Sequence, residues 1–545
     1  MYQTNVLVAG GGPVGMTLAL ILAKRGIRCT LVERNETTTA HPKMDITNAR
    51  SMELFRGIDV ASDLRKAAVA EGHCFDVSWI SDFTGHELHR FRYPSVTEHR
   101  ALIRAHNDGS QPSESPMRVS QVEIEPVLKR AIEAEPLIDV RFGVEIQDLR
   151  QDASGVTATV HDRRTADTSE IRCEYLVGCD GGGSRVRSCL GIELNGDARI
   201  MQRYMVHFRS DRRDLLLRWG NAWHYQSAFG TLIAQNDHDT WTLHSRLPTG
   251  VSLDAINPAD QITRFVGTAI EHEVLQANPW SPHLLVADAY GRGRVFLVGD
   301  AAHQYIPTGG YGMNTGVGDA FDIGWKLAAV VHGFGGPKLL ESYEIERRPV
   351  GLRNCDASRR HNNVRMRIGE LYADDLSASG SIGDEKRANA SARIAALGNA
   401  ENESFGIEFG YAYRDSPVVA NEPDAEWIDD PLMYRPSTAP GARLPSVFLD
   451  DGSSVYHSLG PWFTLLLSEK ESTGNFYEVA RSFAMPLRIV RLQERVMAST
   501  YRCSAVLVRP DHHIAWRGAS TELVERAVEV ISRSLGRQHA NVTLA

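Results

Sequence analysis

Residues 5–15 read NVLVAGGGPVG, and residues 16–26, MTLALILAKRG, repeat apolar side chains at helical spacing. The pair reads as strand, tight turn, helix. In a GxGxxG turn that also holds Pro13, Gly10 permits the bend and Gly12 lets a backbone approach a pyrophosphate. Gly15 lets helix and strand pack closely, and a diphosphate then meets the positive end of the helix. The context strengthens this otherwise weak signal. Gly26 ends the helix, 27–32 (IRCTLV) reads as a second strand, and Glu33, followed by Arg34, stands eighteen residues after Gly15. A carboxylate there suits an unphosphorylated ribose, so FAD or NAD rather than NADP.

Far downstream, 292–298 (RGRVFLV) is another apolar strand and runs into Gly299-Asp300-Ala301-Ala302-His303. A carboxylate at a strand's carboxyl end lies on the ligand side of an α/β sheet. Asp300 there can bind a hydroxylated chain, which FAD has in its ribityl group and NAD lacks. The turn Pro307-Thr308-Gly309-Gly310-Tyr311-Gly312-Met313-Asn314 follows, then an amphipathic helix expected from about Asp319 to Val331. Its backbone N–H groups suit the negative edge of a reduced flavin. Between these segments, 175–187 (YLVGCDGGGSRVR) reads as a strand ending in Asp180-Gly181.

These three motifs, in this order and spacing, resemble the single-component (class A) flavin-dependent aromatic hydroxylases, the group of phenol hydroxylase, 2,4-dichlorophenol 6-monooxygenase and polyketide hydroxylases. The resemblance covers residues 1–360 strongly and 437–545 more weakly. It implies that Gly10, Gly12, Pro13, Gly15, Glu33 and Arg34 hold the ADP of FAD. By the same match Asp180 supports FAD and the nicotinamide nucleotide, Gly299 and Asp300 hold the ribityl chain, and Pro307, Gly310, Gly312, Met313 and Asn314 face the flavin ring. Lys43, where the family commonly has arginine, Gln121 and Arg118 match further cofactor contacts. One departure stands in the loop: Ile306 replaces the first proline of the family's PPxGG.

The implied fold is α/β, a Rossmann-like FAD-binding domain interleaved with a β-sheet substrate domain and followed by a thioredoxin-like domain. The FAD part is assigned to 1–75, 116–195 and 286–365, the substrate sheet to 76–115 and 196–285, helices and a linker to 366–436, and the last domain to 437–545. That last domain has only Cys503 and no CxxC, so packing or a homodimer contact suits it better than redox work.

The implied reaction is monooxygenation of a small phenolic or polycyclic aromatic ring, using FAD, NADH or NADPH, and O2, through a flavin C4a-hydroperoxide. The cofactor carries the difficult steps, so no triad or metal motif is expected. The same scaffold supports Baeyer–Villiger or epoxidising outcomes, and a flavin-binding regulator without turnover is the rival from another class. No Trp-x-Trp pair occurs, which argues against a halogenase. Substrate contacts are expected from 199–282, where RYMVHF, AWHYQSAF and TWTLHSRL alternate like sheet strands. A period of two puts Trp223 and Tyr225 on one face and His224 and Gln226 on the other. His224, Tyr225 and Pro307 are the pocket candidates, and His244 shares the ambiguity.

Composition narrows the partners. Lys and Arg number 59 against 68 Asp and Glu, a net charge of −9 with the two signs mixed along the chain, which excludes nucleic acid. No apolar run is long enough to span a membrane, and the N-terminus has no secretory leader, so a cytoplasmic protein is expected. Seven scattered cysteines give neither a disulfide framework nor a zinc site.

Overall fold

The structure, a computed structural model, describes residues 2–247, 251–252, 256–373, 375–420 and 422–537. The end of the 437–545 region, 538–545, therefore lies outside the described residues. The opening run forms the strand Tyr2–Ala9, and the helix Pro13–Lys24 returns the chain to a parallel neighbour, Cys29–Glu33. That neighbour starts two residues later than the apolar run suggests, because the Ile27 N–H still closes the helix end on the Leu22 carbonyl. Thr168–Gly178 pairs in parallel on the other side of the first strand, followed by Val295–Leu297, and Ile138–Phe142 extends the opposite edge. Parallel strands covered on both faces are apolar throughout rather than alternating. Val6, Leu7, Val8, Leu31, Val32, Leu176 and Val177 are accordingly all buried.

The carboxyl ends of these strands gather Gly10, Glu33, Asp180 and Asp300 along one edge. The helix that follows the glycine-rich turn spans Tyr311–Val331, beginning eight residues before its expected start. Gly312, Gly316 and Gly318 weaken the helical signal in the sequence. Packing explains Gly316: a Cβ there would lie 2.7 Å from Val14, so the glycine lets this helix press against Pro13–Lys24.

A second, seven-stranded sheet runs in the order Glu273–Trp280, Arg203–Arg209, Thr240–Arg246, Gly230–Ala234, His224–Gln226, Val77–Ile80, Glu87–Phe91. One face packs Tyr204, Val206, Phe208, Leu232, Trp241 and Leu243 against Ile262 and Phe265 of the helix Pro258–Val266. The other face carries Arg203, His224, Thr231, Ile233, His244 and Arg246 and turns toward the first sheet.

The C-terminal region holds a four-stranded sheet in the order Leu487–Leu492, Phe463–Ser468, Ala505–Val508, Ile514–Gly518, with one parallel and two antiparallel pairings in a thioredoxin-like arrangement. The last stretch forms two short helices, Ser520–Glu525 and Ala527–Ser534, rather than the single helix its pattern suggests. A buried ionic knot ties this region to the helices Tyr311–Val331 and Pro337–Glu370. Lys326 lies 2.6 Å from both Asp322 and Glu346, and Arg509 reaches Glu346 at 2.7 Å and Asp511 at 2.6 Å. The carboxylates of Asp322, Glu346 and Asp511 come close enough for a metal cage, but each is already paired with Lys326 or Arg509. Among the described residues no helix is long and apolar enough to cross a membrane.

Candidate active site

At the strand ends lies a cleft of about 280 Å³, lined by Gly10, Gly12, Glu33, Arg34, Lys43, Gln121, Asp180 and Asp300. Its three signature glycines differ in what requires them. At Gly10, with φ of +109°, a Cβ would lie 2.3 Å from the Cys179 carbonyl oxygen, and at Gly15 it would lie 2.0 Å from the Gly10 carbonyl oxygen. At Gly12 no protein atom stands within 4 Å. The protein itself demands glycine at 10 and 15, whereas the free space at 12 opens onto whatever fills the cleft. Glu33 is pinned beside it: Oε2 accepts the Gly11 N–H at 2.7 Å, and Oε1 accepts the Asn35 N–H at 2.8 Å. Oε1 also accepts from Asn35 Nδ2 at 2.7 Å, so of a carboxylate's roughly four acceptor sites one remains for a ribose hydroxyl. Asp180 accepts from Ser184 Oγ at 2.5 Å and Val186 N–H at 3.0 Å, which fixes the glycine turn at 181–183.

The cleft opens into a central cavity of about 500 Å³ that shares Gly12, Lys43, Gln121 and Asp300 with it and adds Pro13, Pro307, Gly310, Gly312 and Met313. Asp300 has open side-chain surface facing this space and no hydrogen-bond partner among the described residues, and the surrounding walls partly desolvate it. That desolvation raises its carboxyl above the ordinary range, against the pull of His303 and Lys43. Gly310, with φ of +66°, caps the N-terminus of the helix Tyr311–Val331 and points its free N–H groups at the cavity.

A third cavity, also about 500 Å³ and mostly apolar, shares Asp45, Ile46, His224, Pro307, Gly310 and Arg365 with the central one. Phe75, Tyr93, Trp223, Tyr311 and Phe405 supply its aromatic wall. At the junction Trp223 Nε1 donates to Asp45 Oδ2 at 2.6 Å, and His224 Nε2 lies 3.4 Å from the same oxygen. Burial would raise the Asp45 carboxyl, but His224, Trp223 and the Arg118 charge outweigh it and hold it below the usual range. Burial also lowers His224 despite Asp45, so its ring is neutral near pH 7, and its Nδ1 has no protein partner. Glu408 faces the same cavity, and burial pushes its carboxyl up to about 8 even though it accepts the Arg50 N–H at 2.7 Å.

Several residues singled out in the sequence sit elsewhere. Tyr225 is wholly buried on the outer face of the second sheet, where its hydroxyl donates to the Gly220 carbonyl at 2.6 Å, so it does not face the pocket. Trp223 precedes the strand His224–Gln226 and escapes its alternation, which puts Trp223 and His224 on the same cavity. Arg118 donates to the Cys74 and Ala234 carbonyls and ties segments together behind the cavities. Asn314 spends its amide on Ile46, Gly310, Asn48 and Ser51, bracing the turn from beneath. Gly299 donates its N–H to Asp319 at 3.2 Å and packs on Val14, again a support. Conversely, the sequence reading missed 401–408, taken as linker, and Leu102 and His106 of the segment around the helix Val96–Ala105. A polar segment gives no periodic signal that it folds back over a distant cavity.

The row of cavities fits FAD by the chemistry of its donors: a glycine-lined cleft at a helix N-terminus for the diphosphate, an unpartnered Asp300 for a polyol, and a broad chamber beside helix N–H groups for a flat ring.

Comparison with known proteins gives the same picture. Residues 3–358 match the model of the FAD binding domain, and 437–538 match that of the aromatic-ring hydroxylase C-terminal domain. The chain is 37% identical to the FAD-dependent monooxygenase apdD of Emericella nidulans, over 98% of this chain and 90% of that one. It is 32% identical to aklavinone 12-hydroxylase DnrF of Streptomyces peucetius, over 85% and 91%. Among solved structures, the flavin-dependent monooxygenase PieE in complex with FAD and substrate superposes with a TM-score of 0.89 at 28% identity, covering 98% of this chain and 99% of that one. RebC with bound 7-carboxy-K252c gives 0.87 at 33%, covering 98% and 100%.

Proposed function

The chain belongs to the family of FAD-binding aromatic-ring hydroxylases, and from that premise we propose that its outer and central cavities hold a phenolic or polycyclic aromatic substrate against the flavin ring. It is an FAD-dependent aromatic monooxygenase that uses NAD(P)H. When bound, FAD would supply the redox chemistry, in which NAD(P)H is the reductant and O2 gives one oxygen atom to the ring and the other to water.

What the chain itself does follows from its residues. Gly10, Gly12 and Glu33 bind the ADP end, and Asp300 holds the polyol between cleft and chamber. Residues 76–115 and 196–285 act as the substrate cover, and their inner sheet face together with Phe75, Trp223 and Tyr311 excludes water from the reacting ring. His224 accepts the phenolic proton: burial keeps its imidazole neutral and able to accept, the Asp45 carboxylate offsets part of the cost of the charge it then carries, and a phenolate is the more electron-rich ring. The observation that carries the reading is the unbroken passage from the glycine cleft through Asp300 to an aromatic-lined chamber.

The test is to load the enzyme with FAD and titrate a panel of mono- and polycyclic phenols while following NADH and NADPH oxidation. Oxidation stimulated by at least one aromatic, with a product heavier by one oxygen, is expected. Bound FAD with no stimulation by any aromatic defeats the reading.

A further inference from the structure

Arg25 and Arg118 donate to backbone carbonyls, and several other arginines shielded from water face carboxylates: Arg347 meets Asp319, Arg443 meets Glu53, Arg509 meets Glu346, and Arg365 meets Glu401. Two in the central cavity do not. Arg203 and Arg246 stand directly opposite each other on adjacent antiparallel strands, both half-buried and both on the inner face. Among the described residues neither has a carboxylate partner, and the only ionic influences on Arg203 are the like charges of Arg246 and Arg365. Like charges directly across a strand pair are destabilising, and a guanidinium out of water without a counter-ion is costly. Burial and those neighbours push Arg203 down to about 9.

Arg246 is also held in place. Arg246 donates weakly, at 3.5 Å, to the Arg365 carbonyl, while its Nε is buried with no partner. Its guanidinium rests on Gly369, where a Cβ would come within 2.7 Å of it. Around the pair the chamber offers His244 and Trp280, whose rings meet edge to face at 5.4 Å. Two guanidinium groups without an anionic partner among the described residues, set beside an aromatic wall, suit a delocalised pair of anionic oxygens.

Resting on the hydroxylase reading, we propose that the substrate is an aromatic compound bearing an anionic oxygen pair, of which a carboxylate is the simplest, bridged by Arg203 and Arg246 in the central cavity. The charged end anchors the molecule on the second sheet, and the ring to be oxygenated extends toward the junction of Asp45 and His224.

The probes are 1-hydroxy-2-naphthoate and 1-hydroxy-2-naphthamide, equal in shape and differing in charge. Each is titrated into the FAD-loaded enzyme, with the flavin absorption spectrum giving Kd. The acid is expected to bind at least tenfold tighter than the amide. Arg203→Gln and Arg246→Gln should each bring the acid to the amide's Kd while FAD content and the amide's Kd stay within twofold. Arg203→Lys, which keeps the charge, retains part of the preference and guards against a folding artefact. Equal Kd values for the two probes in the unaltered enzyme overturn the proposal. So do Gln variants that raise KM for NADH or NADPH and leave the acid's Kd alone, which would make the pair a nucleotide site. Failure of the hydroxylase reading looks different: the acid binds preferentially, yet no aromatic stimulates NAD(P)H oxidation.

Discussion

The dinucleotide cleft and the aromatic chamber are built on opposite plans. The cleft is made of main chain: three turns at the ends of parallel strands, with glycine wherever a side chain would strike a carbonyl or the ligand. The chamber is made of side chains contributed by the turn after Lys43, the segments near Phe75 and His99, the inner face of the second sheet, the long helix Pro337–Glu370 and residues 401–408. A site of backbone recognises what all members of a family share. A site of side chains can differ in each member without disturbing the fold.

That contrast is open to attack at both ends. The largest effect is expected at Gly12, whose φ of −75° any residue can adopt and whose missing side chain borders no protein atom. Gly12→Val should therefore fold normally and purify without flavin, whereas Gly15→Val, driving a Cβ into the Gly10 carbonyl, should compromise the fold itself. Absorbance at the flavin bands and circular dichroism separate the two. If Gly12→Val kept a full complement of FAD, the cleft would not be the diphosphate site.

Next in size is His224→Asn. Flavin content should be unaltered, while turnover of a phenolic substrate near neutral pH falls about a hundredfold, the scale of one lost proton acceptor. Chemical rescue by assaying above the phenol's own pKa sharpens the assignment, since a substrate already ionised no longer needs the base. Asp300→Asn sits on the border of the two regions and should weaken FAD by about tenfold, the worth of a charge-assisted hydrogen bond. Equilibrium dialysis against free FAD reads it directly.

The smallest effect just below neutrality is acid sensitivity, which grows as the pH falls further, and it falls on one side of the contrast. Burial lowers His244 to about 3 and His99 to about 4, both on the chamber side. Below pH 6.5 the unfolded chain binds protons at these rings that the folded chain refuses. Each contributes stability that is complete above 6.5 and is lost as the pH falls toward 4, at no more than about 1.4 kcal/mol per unit. Substrate binding should thus fail on acidification before FAD is released, as two separate transitions in parallel titrations.

The same contrast explains what could be read from the sequence. Gly10, Gly12, Gly15, Glu33, Asp180 and Asp300 are legible because backbone geometry forces residue types at fixed spacings. Alternation in RYMVHF and TWTLHSRL marks sheet strands but leaves open which face lines the cavity, and arginine at 203 and 246, paired across adjacent strands on the inner face, is a signal that distinguishes the two faces. Tyr225 could not be placed, because a tyrosine suits a cavity wall and a sheet core equally, and its Gly220 contact is set by a local turn. Arg118 and Asn314 lie in cofactor-like motifs yet act as braces, since hydrogen-bond direction is not written in residue type. The contribution of 401–408 depends on how a polar segment folds back against a sheet encoded some two hundred residues earlier.

The central claim is that the cleft loads a cofactor whose oxygen chemistry is spent on an aromatic ring in the chamber. The most direct measurement supplies FAD-loaded enzyme with NADH or NADPH, 1-hydroxy-2-naphthoate and oxygen-18 gas, and weighs the aromatic product. One labelled oxygen atom on the ring is expected, with labelled product formed about a hundredfold more slowly in His224→Asn although FAD stays bound. Consumption of NAD(P)H with every aromatic recovered unlabelled would contradict the account.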